Sequence, residues 1–152
     1  MLLKKNFIIL LVIIVLNSCG YQVVYNNKSD LNFNIVLNKL EGDKRLNNNI
    51  KSKLNNYINN KDGIKIETKI NSVFRKQTLS KDTTGKETNY ELIATVYFEI
   101  LYKGVNQKLT YEETIKVANI ENAYEQKNYE NVIKNNFADS IVEKFLLKLK
   151  TL

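Results

Sequence analysis

Tyr90-Glu91-Leu92-Ile93-Ala94-Thr95-Val96-Tyr97-Phe98-Glu99-Ile100 is the stretch that decides the fold. Tyr90, Leu92, Ala94, Val96, Phe98 and Ile100 occupy every second position, opposite Glu91, Thr95 and Glu99. A period of two places the first set on one face of a β-strand, which must be buried against a second layer. The opposite face is not purely polar, since it carries Ile93, Tyr97 and Leu101. These three read equally as ordinary exposed apolar residues or as part of an interface.

Four of the five glycines, at positions 42, 63, 85 and 104, fall between periodic segments and divide the rest of the chain. Toward the N-terminus, Lys81-Asp82-Thr83-Thr84-Gly85-Lys86 is a polar hairpin tip. Before it, Ile64, Ile66, Ile70 and Phe74 share one face of a long strand, separated by Lys65, Glu67, Lys69 and Asn71. The alternation weakens from Phe74 to Ser80, where the strand has room for a bulge. Between Gly42 and Gly63, Leu46, Ile50, Leu54 and Ile58 recur every four residues, which predicts a helix with Asp43 as N-cap and Gly63 as its end. Phe33, Ile35 and Leu37 alternate with Asn34, Val36 and Asn38 in a strand before Gly42.

Toward the C-terminus, Gly104 with Val105 and Asn106 turns the chain into a strand where Leu109, Tyr111, Ile115 and Val117 share a face. Glu113 interrupts that face, which marks a sheet edge or a partner surface. After an irregular linker from Asn119 to Lys127, Ile133, Phe137, Ile141, Phe145 and Leu149, joined by Val132, form the stripe of a final helix. The order is β-α-β-β-β-α, an α+β two-layer sandwich in which two helices cover one face of a four-stranded mixed or antiparallel sheet. The strand order stays open. If the first two strands are parallel neighbours, their crossover is right-handed.

At the N-terminus, Lys4 and Lys5 precede the ten apolar-rich residues Phe7 to Leu16, which are too few to span a bilayer comfortably. Leu16-Asn17-Ser18-Cys19 resembles the bacterial lipobox, Leu-x-Ser/Ala/Gly-Cys; the other reading is an uncleaved anchor. The resemblance implies a signal peptide over residues 1–18 and a mature chain starting at Cys19, which carries S-diacylglycerol and an N-acyl chain such as palmitate. Residues 19–30 are then a membrane tether and residues 31–152 a single domain. Gly20, rather than Asp, implies sorting to the outer membrane of a Gram-negative cell. Several acyl chains hold a protein on a membrane stably, at about 0.8 kcal/mol per buried methylene.

The residue inventory excludes most catalytic chemistry. There is no histidine, and the one cysteine is assigned to the lipid. Ser-His-Asp triads, Cys-His pairs, the common Cys/His zinc sites and an intrachain disulfide are therefore ruled out. No phosphate-binding glycine motif occurs, and Glu112 and Glu113 are adjacent in a strand, so they point to opposite faces. The sequence points away from an enzyme, and no metal, cofactor or nucleic-acid partner is expected. The whole chain has 23 Lys+Arg against 16 Asp+Glu, and loss of Lys4 and Lys5 leaves 21 against 16. That excess favours an anionic partner, and equally reads as composition, since Lys and Asn are abundant while Trp, His and Pro are absent.

Cys19-Gly20-Tyr21, the hairpin ending at Gly85 with Glu87-Thr88-Asn89-Tyr90-Glu91-Leu92 after it, the long third strand, and the closing Phe145-Leu146-Leu147-Lys148-Leu149 together resemble the LPS-assembly lipoprotein family LptE. The resemblance implies two helices on a four-stranded sheet. It also implies that the protein catalyses no reaction and plugs the outer-membrane barrel LptD, assisting its assembly and binding lipopolysaccharide. Family members place basic residues in the hairpin between the second and third strands and near the start of the last helix. At those places this chain has Lys81, Lys86 and Lys127. Some relatives carry Arg before Asn-Gly, where this chain has Thr83-Thr84-Gly85, and lysine lacks arginine's bidentate fork. From the residues alone, another envelope-assembly adaptor lipoprotein or an exported module binding an anionic polymer remains open.

Overall fold

The structure, a computed structural model, describes residues 32–58 and 60–152. The expected signal peptide, the tether and the lipidated Cys19 lie outside the described residues. The elements are β1 (Phe33–Gly42), α1 (Lys44–Leu54), a 3₁₀ turn (Asn55–Tyr57), β2 (Ile64–Lys81), β3 (Glu87–Tyr102), β4 (Val105–Ala118) and α2 (Ala123–Leu149). The strands lie side by side in the order β1-β2-β3-β4. β1 and β2 are parallel, whereas β2–β3 and β3–β4 are antiparallel, so the sheet is mixed.

Burial follows the two periods read from the sequence. All six alternating residues from Tyr90 to Ile100 are buried, with Phe33, Ile35, Ile66, Ile70 and Val117 from neighbouring strands. Leu46, Ile50 and Leu54 of α1 and Ile133, Phe137, Ile141, Phe145 and Leu149 of α2 belong to the same core cluster. At its centre Phe98 stacks on Phe145, with ring centroids 4.1 Å apart and planes 11° from parallel. Tyr111 meets Phe98 edge-on at 5.9 Å. Both helices thus bury their stripes in one core against the sheet.

The element boundaries shift where long-range contacts override local pattern. α1 starts at its predicted cap, with Asp43 Oδ1 accepting from the Leu46 amide at 2.8 Å. It ends at Leu54, before Gly63. Ile58 leaves the helix to form a parallel bridge with Ile35, and Tyr57 takes the buried place. Gly63 instead lies against β1, where a Cβ would come within 2.4 Å of the Phe33 carbonyl carbon. The β3–β4 turn sits on Lys103 and Gly104, both left-handed at φ 46° and 80°, between the paired Tyr102 and Val105. α2 starts at Ala123, ahead of the expected end of the linker. Asn122 accepts from the amides of Tyr124 and Glu125, and the buried Gln126 Oε1 accepts from the Ile120 amide at 2.8 Å.

Other expectations meet side-chain detail. Val132 is exposed, and Ala138 and Val142 complete the helical stripe in its place. Ile64 shares the parity of Ile66 but is exposed at the strand's start. The bulge falls at Leu79, where the β2–β3 register slips between Thr78 and Ser80. β4 is an edge strand, and Glu113 on its inner face bonds Ser140 Oγ at 2.7 Å and the Lys144 ammonium of α2.

β1 ends where Gly42 pairs with Ser72, while β2 continues from Val73 to Lys81 with β3 as its one neighbouring strand. That overhang carries the hairpin on which the candidate site is built.

Candidate functional site

Three polar anchors shape the β2–β3 hairpin. Asp82 Oδ1 accepts from the backbone amides of Thr84 and Lys86 and from the Thr84 hydroxyl, at 2.6–3.0 Å. These bonds, led by the hydroxyl, hold the Asp82 carboxyl below its ordinary value. Gly85 closes the turn at φ 85°, a left-handed conformation that glycine adopts without strain. On the strands below, the Thr78 hydroxyl donates to Glu87 at 2.6 Å, and Ser80 and Thr88 share a hydroxyl–hydroxyl bond at 2.7 Å.

The hairpin is tied to the start of α2. Lys86 Nζ bonds Glu121 at 2.8 Å, and the Asn119 amide donates to the Thr88 carbonyl at 2.8 Å. The pairing raises the Lys86 pKa and lowers that of Glu121. Deeper, Lys76 Nζ lies 3.9 Å above the Tyr90 ring and bonds Glu130 at 2.8 Å. Burial opposes ionisation of Glu130, but Lys76 and Gln126 together hold its carboxyl below the usual range. Lys134, whose side chain is 14% exposed, bonds Asp43 at 2.7 Å and stands 4.1 Å from the centre of the Phe74 ring.

The predicted cationic residues thus lie at one end of the molecule in different states. Lys81 ends β2, and Lys127 stands on the exposed side of α2 between Glu121 and Glu130, both of which are bonded to the hairpin strands. Neither the Lys81 nor the Lys127 side chain makes a hydrogen bond or ion pair among the described residues, although the Lys81 charge helps to lower the Glu87 pKa. Lys86 is engaged by Glu121. The structure brings no pair of the three into direct contact. An anion at this end would meet two ammonium groups directly and a third only by displacing a carboxylate.

Lys76 and Lys134 escaped the sequence reading because their partners lie 54 and 91 residues away. A signal did exist for Lys76: it shares parity with Phe74 and Ile70, so a cation falls on the apolar face of β2.

The outer sheet face is different in kind. A groove of about 450 Å³ is lined by Lys39, Glu41, Lys69, Tyr97, Glu99 and Lys108 among others. Its charges pair internally: Glu99 with Lys108 at 3.1 Å and Lys69 at 3.9 Å, and Lys39 with Glu41 at 2.7 Å. Tyr97 remains 43% exposed. This face offers a balanced polar surface with an aromatic handle. Among the described residues no cluster of three or more His, Cys, Asp or Glu side chains could hold a metal ion, and no helix is long and apolar enough to cross a membrane.

No protein-family model matches the sequence, and no curated protein is significantly similar to it. Solved structures are similar in fold. The crystal structure of rare lipoprotein B from Shewanella oneidensis superposes with a TM-score of 0.56 at 19% identity, over 75% of this chain and 98% of that one. A candidate lipoprotein of Caulobacter crescentus gives 0.52 at 13% identity, over 76% and 88%. Lipoprotein B from Nitrosomonas europaea gives 0.50 at 14% identity, over 76% and 81%. The fold implied by the sequence resemblance is the fold found, and it is shared with proteins named as lipoproteins.

Proposed function

We propose that this protein is a lipoprotein of the cell envelope, anchored in the outer membrane through acylated Cys19, that serves as the LptE-type plug and assembly partner of the barrel LptD in lipopolysaccharide insertion. One observation carries the reading: a lipobox-like Leu16-Asn17-Ser18-Cys19 precedes a domain whose fold covers 98% of rare lipoprotein B from Shewanella oneidensis. The ion pairs across the groove on the outer sheet face suit a polar barrel lumen, because those charges need no partner from the lumen wall. At the hairpin end, the ammonium groups of Lys81 and Lys127 are candidates for lipid A phosphates, where charge-assisted hydrogen bonds are the strong contacts. Lys86 joins them by exchanging Glu121 for phosphate. The role requires no catalytic group.

The test is a detergent pull-down from native outer membranes with a C-terminal tag, comparing wild type with Cys19→Ala. Recovery of the lipopolysaccharide-assembly barrel at a one-to-one ratio, lost or reduced when Cys19 cannot be acylated, is the expected result. Stoichiometric recovery of a different complex would replace the plug reading with that of another envelope-assembly adaptor. Failure to recover any partner, with strongly salt-sensitive binding to an anionic polymer, would favour the polymer-binding module.

A further inference from the structure

β1 leaves the sheet abruptly at Gly42. The residue is left-handed at φ 95°, and a Cβ there would fall 1.8 Å from the Ser72 carbonyl oxygen. The last bond between the two chain segments runs from the Asp43 amide to that same carbonyl, at 3.0 Å. Beyond it, one side of β2 has no strand beside it.

The N–H and C=O of one strand residue point to the same side, and the side alternates along the chain. Because the Ser72 carbonyl faces β1, the backbone groups of Phe74, Lys76 and Thr78 face the open side. Among the described residues those groups have no hydrogen-bond partner. Three residues thus present a ready donor–acceptor ladder, in line with β1.

Charge around this edge is one-sided. Arg75 on β2 and Lys44 and Arg45 in the first turn of α1 are exposed and make no ion pair among the described residues. The nearby carboxylates are engaged elsewhere, Asp43 by Lys134, Glu130 by Lys76, Glu87 by the Thr78 hydroxyl and Glu91, opposite Gln77 on β3, by the Thr114 hydroxyl at 3.4 Å. A second copy pairing through the same edge would set Arg75 and Lys76 against their own kind, which disfavours self-association. The exposed Val73 adds an apolar contact on the outer face.

We propose that the Val73–Thr78 edge of β2 docks an extended acidic segment of a partner protein as an added strand. Main-chain bonds to Phe74, Lys76 and Thr78 supply the pairing, and carboxylates at alternate positions lie on the outer face, where they meet Arg75. The inference stands on the strand edge and is independent of the lipopolysaccharide role.

The test uses the full chain in detergent micelles and a blocked decapeptide of alternating Glu and Val. Controls are the same peptide N-methylated at alternate residues and a Lys-Val peptide. Backbone NMR and fluorescence anisotropy are expected to show binding that shifts the Phe74, Lys76 and Thr78 amides. N-methylation, or Arg75→Glu with unchanged circular dichroism, is expected to weaken it at least about tenfold. Equal binding of the N-methylated peptide would reduce the interaction to charge alone. Equal binding of the Lys-Val peptide, shifts confined to other strands, or no binding of the Glu-Val peptide would overturn the proposal.

Discussion

The two halves of β2 show how one strand serves two purposes. From Ile64 to Ser72 it pairs with β1, and from Glu67 onward also with β3, and Ile66, Thr68, Ile70 and Ser72 on its inner face are buried. From Val73 to Lys81 it keeps β3 alone, and its inner face changes to Phe74, Lys76 and Thr78, all at least partly accessible. The first half is held mostly by apolar burial, which is non-directional and scales with area. The second is held by directional contacts, with Lys76 between Tyr90 and Glu130 and Thr78 on Glu87. Such contacts set the hairpin's angle but contribute less stability, and they leave backbone groups available to a partner.

The comparison breaks most severely at Phe98, which pairs with Ile70 of the lower half and stacks on Phe145. Phe98→Ala is expected to cost about 3–5 kcal/mol in urea unfolding. A loss below about 1 kcal/mol would mean that apolar burial does not anchor the lower half.

The boundary between the halves is tested at Gly42. Gly42→Ala combines a left-handed backbone with a clash against the Ser72 backbone, and is expected to cost about 2–3 kcal/mol. Gly85→Ala, left-handed but in open space, is expected to cost about 1 kcal/mol. Equal midpoints for the two variants would show that the close approach of β1 to β2 at Ser72 carries no stability.

Asp43 links the boundary to α2 through Lys134. Asp43→Ala removes the α1 cap and that ion pair together, for an expected loss of about 1–2 kcal/mol at neutral pH. Burial opposes its ionisation, but Lys134 and the Leu46 amide together hold its pKa below the usual value. The resulting stability is therefore present above about pH 4, the ordinary carboxylate range, and is lost as pH falls through the depressed native value. Unfolding curves from pH 6 down to pH 2 are expected to be flatter for the variant than for wild type. Parallel curves would remove Asp43 from the acid response.

The smallest effect belongs to the upper half itself. Lys76→Met is expected to cost about 1 kcal/mol or less and to reduce the salt dependence of stability, because its partners are partly exposed. A loss comparable to that of Phe98→Ala would erase the distinction between the halves.

Periodicity made the core legible in the sequence. The alternation from Tyr90 to Ile100 and the four-residue stripes of Leu46, Ile50, Leu54 and of Ile133 through Leu149 all point into the core, because a repeat of apolar side chains expresses the geometry of one element. The boundaries were less legible. α1 stops where Ile58 finds Ile35 across the chain, and α2 starts early because Asn122 and Gln126 satisfy backbone groups around residue 120. In the candidate site, Lys81, Lys86 and Lys127 could be picked out as charged residues beside turns and a helix start. That Glu121 engages Lys86 while Lys81 and Lys127 stay unpaired among the described residues depends on contacts many positions away.

The sequence by itself determined the α+β class, the order of elements and the buried faces, since each follows from local residue identity and spacing. Tertiary structure alone decided that the strands lie in chain order, that β1 departs at Ser72 and leaves half of β2 with an open edge, and which lysines are paired. Those outcomes rest on hydrogen bonds and ion pairs between distant residues, whose partners exist only once the whole sheet and both helices have packed.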